Sequence, residues 1–154
     1  MHFRKANNSD LEEMKNLFQE TIRSVCSHDY NSAQINEWIS TVQNTQRWLE
    51  MLASQFVLLA IVDDKMAGFG TLKNGNYIDF FYIHKDFQKR GIATQLLEKL
   101  EQEARHLESK TISSDVSITA KPFFEKLGFK VLKEQHNHRN GLILINYKMR
   151  KELQ

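Results

Sequence analysis

The sequence predicts a single domain of the α/β (α+β) class, on three observations. Apolar runs of strand length stand at Phe56 to Val62, Met66 to Leu72 and Tyr77 to Ile83, parted by the polar turns Asp63-Asp64-Lys65 and Lys73 to Asn76. Apolar residues recur at helical spacing twice, at Leu11, Met14, Phe18, Ile22 and Val25, and at Ile92, Leu96, Leu97, Leu100, Ala104 and Leu107. Between them, the run YIDFFYI passes through the basic turn Gln88-Lys89-Arg90-Gly91-Ile92-Ala93 straight into the second of these helices.

The remaining elements follow in order. His2 to Ala6 is a short opening strand, and Ser9 with Glu12 makes a capping box for the first helix. Ser27 to Asn31 breaks that helix. Ser32 to Ile39 is a second helix, and Thr45 to Leu52 a further helical stretch. After the helix Gly91 to Leu107, Thr111 to Val116 is a strand and Ile118 to Leu127 a helix stopped by Gly128. Lys130 to Glu134 and Leu142 to Met149 close as a hairpin around Asn140-Gly141.

With 154 residues, of which 41% are hydrophobic and 26% charged, the chain suits one domain with a real core. A net charge of +2 is too small to point to nucleic acid. The single Cys26 excludes an intrachain disulfide and points to a reducing compartment; its place on the apolar side of the first helix predicts packing rather than nucleophilic catalysis. MHFRKANNSD has no apolar signal core, and the longest apolar run is far short of a membrane span. These features predict a cytoplasmic protein without a membrane partner.

A strand, a glycine turn and a helix N-terminus together hold anions, because free N–H groups and the positive end of the helix dipole converge there. Lys89 and Arg90 add full charges, so a phosphate-bearing ligand is the first expectation. Neither G-x-x-x-x-G-K-[ST] nor G-x-G-x-x-G occurs, which argues against a P-loop and a dinucleotide fingerprint. The pattern Q-x-x-G-x-A, carried by Gln88, Gly91 and Ala93, resembles the acyl-CoA pyrophosphate loop of the GNAT superfamily of N-acetyltransferases. Downstream, SITAKPFFEKLGF is similar to that family's second cofactor-contacting segment, with Ala120, Phe123, Lys126, Gly128 and Phe129 in register.

The resemblance implies a mixed, mostly antiparallel central sheet with helices on both faces, and the order β-α-α-β-β-β-α-β-α-β-β fits it. It implies acetyl-CoA as co-substrate, with no metal. The pyrophosphate would rest on the N–H groups of Lys89, Arg90, Gly91, Ile92, Ala93 and Thr94 beside Gln88. The pantetheine arm would lie between the strands Tyr77 to Ile83 and Thr111 to Val116. A backbone N–H near Phe81, Tyr82 or Ile83 would serve the oxyanion, and Ser117, Ala120, Phe123 and Phe124 would line the arm. Two departures stand out: Ser117 replaces a usual Asn, and Phe124 replaces the tyrosine that in many members protonates the leaving thiolate. Tyr82 and Tyr147 are the substitutes that strand position offers.

Asp79 is the candidate base, a carboxylate within an otherwise apolar strand. Strand alternation predicts that Asp79, Phe81 and Ile83 share a face. There Asp79 takes the amine proton or binds the cationic amine by charge. His28, Tyr30 and Trp38, with Asp29, fall where related folds form the acceptor pocket, and suit a cationic amine. His84 is expected to cap the strand exit. His136 with His138 supplies too few ligands for zinc, and the two read with Asn137 and Arg139 as an exposed polar turn whose alternative place is the border of the acceptor pocket. The expected partner is a small-molecule or peptide amine, with no nucleic acid, and a homodimer through the C-terminal hairpin is compatible with the pattern. The alternative is a non-catalytic acyl-CoA-binding or sensor module, which Phe124 favours.

Overall fold

The computed structural model, which describes Met1–Gln154, runs β1 (His2–Lys5), α1 (Leu11–Val25), α2 (Ser32–Ile39), α3 (Thr45–Ser54), β2 (Phe56–Val62), β3 (Lys65–Lys73), β4 (Tyr77–Ile83), α4 (Ile92–His106), β5 (Thr111–Ser117), α5 (Lys121–Lys126), β6 (Lys130–Arg139) and β7 (Leu142–Glu152). All seven strands share one sheet in the order β1-β2-β3-β4-β5-β7-β6. Every neighbouring pair is antiparallel except β4 and β5, which run parallel. This is the mixed, mostly antiparallel sheet expected.

The helices cover both faces because each buries one apolar stripe. On one face α1 presents Met14, Leu17, Phe18 and Ile22. They pack with Trp48 and Met51 of α3 over Phe69, Phe80 and the β2 residues Val57, Leu59 and Ile61. Phe18 and Trp48 meet edge to face at 5.2 Å, a geometry favoured by the ring quadrupoles. On the other face α4 buries Ile92, Leu96, Leu97, Leu100 and Ala104 against Ile78, Ile112 and Met149. Glu101 of α4 is buried among them, and Lys151 of β7 bonds both its oxygens at 2.9 and 3.2 Å, so the charge is paired.

Local chemistry shifts several predicted boundaries. The first capping box is made by Asn7 and Asp10, not Ser9 and Glu12: Asn7 Oδ1 accepts the Ser9 N–H and Asp10 accepts the Asn7 N–H, both at 2.9 Å. Arg4 grips the same Asp10 carboxylate at 2.8 and 3.0 Å and thereby fixes the entry to α1. The predicted helix from Ile118 begins only at Lys121, since Ser117 Oγ accepts the Ala120 N–H at 3.1 Å and shapes a turn first. The final hairpin is longer than predicted, because its polar residues pair across strands as well as its apolar ones do, from Lys130↔Arg150 to Arg139↔Leu142.

The feature that organises the sheet is a β-bulge in β4. Gly70 pairs with Phe81 and Leu72 with Ile78, so Asp79 and Phe80 together oppose the single residue Thr71. The displaced Phe80 N–H finds no ladder partner and donates instead to Thr71 Oγ1 at 3.0 Å, in a fully buried position. The bulge corrects the predicted alternation. Asp79 joins Phe80 and Tyr82 on the α1/α3 face, whereas Phe81 and Ile83 face α4. Thr71→Val keeps the shape but removes the acceptor for that N–H. A loss of roughly 1–3 kcal/mol is expected in urea unfolding; stability within a few tenths of the parent would show that the bulge does not need this bond.

Candidate active site

Beyond the bulge, β4 and β5 part. Their parallel pairing covers only Tyr77↔Ser113 and Ile78↔Ser114. The last rung is made by a side chain, with Ser114 Oγ donating to Ile78 O at 2.8 Å. From there β5 continues against β7 as far as Ser117↔Asn146, while β4 continues against β3 as far as Gly68↔Ile83. The His84 N–H donates to Ala67 O at 2.7 Å, so by antiparallel alternation Phe81 and Ile83 turn their backbone groups away from β3 and into the gap. An extended chain entering there meets the Phe81 backbone, while the Ile83 carbonyl is already held by the Gln88 amide and the Thr21 hydroxyl.

On the α4 side the gap forms a cavity of about 180 Å³ that gathers Phe81, Tyr82, Ile83, Gln88, Ala93, Ser117, Ala120 and Phe123, with Thr21, Val25, Cys26, Trp38 and Thr119. Eight of the predicted cofactor residues therefore line one space. At its end lies the loop into α4. Lys89 and Gly91 take left-handed conformations, at φ 61° and 76°, which turns the chain sharply. No side chain caps α4, so the N–H groups of its first turn are free to meet an anion. Lys89 and Arg90 are exposed beside them, Arg90 resting on the Phe87 ring at 5.3 Å.

Three predicted contacts serve the protein itself. The Gln88 amide donates to Ile83 O at 2.6 Å and closes the loop onto the strand. Ile92 packs in the core, which leaves its N–H as the part available to a ligand. Ser117 Oγ accepts from Ala120, leaving the hydroxyl proton for another acceptor. His84 caps the strand exit as expected, accepting the Asp86 N–H at Nδ1 (3.2 Å) while Nε2 meets Glu20 at 2.6 Å. A further hollow of about 470 Å³ beyond His84 holds Arg90 alone among the predicted site residues.

The opposite side of the gap is a second cavity of about 300 Å³. Its wall carries Asp79, Tyr82, Tyr30, Trp38 and Phe124, with Asn137 and Arg139 of the polar segment that the sequence placed at the border of the acceptor pocket, and with Asp115 and Asn146, which sequence reasoning missed. Asp79 is not solitary. Arg47 Nη2 donates to its Oδ1 at 3.0 Å, and Arg47 Nη1 and Gln55 Nε2 reach Oδ2 at 3.3 and 2.8 Å. Asp115 accepts from the Tyr77 hydroxyl at 2.6 Å and from Gln135 at 2.8 Å. Burial, followed by that bond to Asp115, pushes the Tyr77 hydroxyl well above the usual tyrosine range, so it stays a donor.

Burial also holds the Tyr82 hydroxyl far above its ordinary value, protonated at the meeting of the two cavities. Tyr30 ties distant segments: its hydroxyl donates to Ile145 O at 2.5 Å and accepts the Ile118 N–H at 3.0 Å, and its ring meets Trp38 edge to face at 5.3 Å. Phe124 is buried among Phe81, Phe123 and Phe129. Three candidates lie apart. His28 and Asp29 are exposed and line neither cavity, Asp29 accepting from the Thr119 hydroxyl at 2.8 Å, and Tyr147 packs with the α4 core under Lys121. His136 bonds Glu134 at 2.8 Å, and no group of three or more metal-ligating side chains forms.

Residues 26–151 match the model of the acetyltransferase (GNAT) domain. The chain belongs to the GNAT family. This GNAT domain is thus an acetyl-CoA-dependent acyltransferase. It is 32% identical over 141 residues to the uncharacterized N-acetyltransferase YafP of Escherichia coli K12, covering 92% of this chain and 89% of that one. It is similar to a GCN5-related N-acetyltransferase of Rhodopseudomonas palustris, with 28% identity, a TM-score of 0.94, and 99% and 95% of the two chains covered. The PaiA N-acetyltransferase of Thermoplasma acidophilum, solved with coenzyme A, shares the fold at 19% identity and a TM-score of 0.78 over 98% of both chains. No helix of the GNAT domain is long and apolar enough to cross a membrane.

Cys26 lines the α4-side cavity, but burial pushes its thiol up to about 11. Only about one thiol in a thousand is thiolate at pH 8, and the thiolate is the reactive form. Iodoacetamide at pH 8 is therefore expected to leave native Cys26 unmodified by mass spectrometry and to label it after unfolding. Rapid native labelling would show a reactive thiol. Tyr30→Phe removes the tie between Ile118 and Ile145, and a rise in KM for both substrates is expected with a fall in stability of roughly 1–3 kcal/mol.

Proposed function

We propose that the chain transfers the acetyl group of acetyl-CoA to a primary amine by direct attack, with both substrates bound together and no covalent enzyme intermediate. The observation that carries this reading is that the two cavities share Trp38, Phe81, Tyr82, Ser117 and Ala120, so one passage crosses the sheet where β4 and β5 part. In it the α4 side takes the cofactor and the Asp79 side takes the amine.

The residues then have separate tasks. The first-turn N–H groups of α4, with Lys89 and Arg90, hold the pyrophosphate. The unpaired edge of β4 holds the pantetheine arm, and the Phe81 N–H faces the carbonyl oxygen as negative charge develops on it. The amine nitrogen bonds to the acetyl carbon while its proton passes to Asp79, directly or through one water, and the C–S bond breaks. Asp79 Oδ1 has a single donor and keeps a lone pair for this. Tyr82, too weak an acid to give up its proton readily, donates a hydrogen bond to the departing sulfur. The second reading, an acyl-CoA-binding module without turnover, draws on Phe124, which packs as a core aromatic where a proton donor often stands. A cytoplasmic location belongs to the leading proposal, as does pairing of two copies through edge strand β6, where Val131 and Leu132 are exposed.

Gly91→Glu tests the loop. A Cβ at Gly91 meets no atom within 4 Å, so the fold tolerates it apart from a φ cost of about 1–2 kcal/mol. Acetyl-CoA affinity by calorimetry is expected to fall at least about 100-fold, the equivalent of two lost charge-assisted bonds, while pantetheine, which has no phosphate, is unaffected. Unchanged acetyl-CoA binding would remove the loop from the site. Asp79→Asn is expected to lower kcat at least about tenfold and to leave acetyl-CoA affinity nearly intact. Because it also frees Arg47, the Asp79→Asn/Arg47→Met double variant is the control: recovery of the rate there would end the case for Asp79 as base.

A further inference from the structure

The polar groups around the amine-side cavity are not all taken up within the protein. Asp79 is engaged by Arg47, but Asp115 has no cationic partner and Arg139, paired with Glu37 only through its Nε, keeps donors to spare. Asp115 receives only neutral donors, the Tyr77 hydroxyl and the Gln135 amide. Lys148 stands opposite it in register on β7, but no hydrogen bond joins the two side chains. Arg139 is tethered from behind, its Nε lying 3.6 Å from Glu37 Oε1, which in turn accepts from Asn140 at 2.9 Å. The Nη groups of Arg139 are left without a protein acceptor. Both Asp115 and Arg139 line the cavity.

Their separation follows from the sheet. Gln135, Asn137 and Arg139 fall on one face of β6 by alternation, and Gln135 bonds Asp115 at 2.8 Å. Four strand residues from Gln135 to Arg139 set the Asp115 carboxylate and the open Nη side of Arg139 on the order of 13 Å apart. Between them runs a row of amides. Asn146 Oδ1 accepts from Gln135 at 2.9 Å and from Asn137 at 3.0 Å. This fixes the amides and leaves the Asn146 NH₂ and the Asn137 carbonyl to a ligand.

We infer that the amine acceptor is a short peptide bound as a zwitterion, its terminal ammonium near Asp79 and Asp115, its peptide groups along Asn146 and Asn137, and its carboxylate on Arg139. Three to four extended residues span on the order of 10–13 Å between the two charges, which fits this groove; a single α-amino acid is too short to reach both ends. A diamine of the same length places a cation against Arg139 and is disfavoured by like charge. The inference rests on the acetyl-transfer reading for the assignment of this cavity to the acceptor.

The test pairs binding with turnover on the full chain in saturating acetyl-CoA. Triglycine, triglycinamide and 1,8-diaminooctane are compared by calorimetry, with desulfo-CoA in place of acetyl-CoA, and by release of the CoA thiol. Triglycine is expected to bind about tenfold or more tightly than its amide, the worth of one charge-assisted bidentate contact, and the diamine more weakly still. Arg139→Gln, at an exposed position, is expected to erase the difference between triglycine and its amide. Asp115→Asn is expected to weaken both equally. Equal binding of acid and amide, or preference for the diamine, overturns the inference, whether or not thiol is released. Discrimination in binding with no thiol released upholds the peptide site and defeats the transfer reading instead.

Discussion

One irregular step in β4 determines the rest of the site. If Asp79 and Phe80 each took a regular place opposite β3, the strand would keep its pleat. The parallel ladder with β5 would then have no reason to stop at Ile78. The extra residue turns the strand, and β4 leaves β5 after two rungs. The cost of the irregularity is one displaced N–H, and Thr71 meets it from inside the core. The gap that results has unpaired backbone on one side and the β5–β7 face on the other. Ala93 of α4, Phe123 of α5 and Thr21 and Val25 of α1 border it at the cofactor end, and Trp38 of α2 borders both cavities.

The bulge also explains why the two ends of the passage differ in chemistry. Phe81, turned toward α4, meets Phe123 at 5.9 Å and Phe124 at 5.5 Å, so the wall beside the cofactor arm is aromatic and apolar. Asp79, turned the other way, meets Arg47 and Gln55 from the α3 end, so the wall beside the amine is polar. A regular strand would have put the carboxylate on the Phe81 face, against α4, where Leu96 and Leu100 offer no donor. A charge there would have to be neutralised or expelled.

How far the sequence discloses this depends on the kind of contact. The strands and amphipathic helices were legible because burial imposes periods of 2 and 3.6 on apolar residues, and the Gly91 turn because a left-handed backbone before a helix leaves a short pattern. The eight cofactor-side residues that gather in one cavity were read from two such patterns by resemblance. The bulge was not legible: YIDFFYI alternates no differently with it or without it, and its signature lies in Thr71, on another strand. Arg47, Asp115 and Asn146 were missed for the same reason. Each is an ordinary polar residue in its own segment and gains meaning only from a neighbour far along the chain. His28 errs in the opposite direction, since nearness in sequence to Tyr30 did not carry it into the cavity.

Tyr30 shows how strongly the two halves of the passage are joined. Its ring and hydroxyl belong to the segment after α1, yet the hydroxyl accepts the N–H of Ile118, in the turn that carries the second cofactor segment, and donates a hydrogen bond to the Ile145 carbonyl of β7, on the amine side. Burial drives this hydroxyl up to about 12, so it keeps its proton and the tie persists across the whole neutral range. A tyrosine that sequence position assigns to the substrate thus acts first on the protein. It fixes the spacing between the turn at Ser117 to Ala120 and the row of β7 residues that faces the acceptor. Any change in that spacing moves both walls of the passage at once, which is why cofactor and amine affinity should respond together to Tyr30 and separately to Gly91 and Arg139.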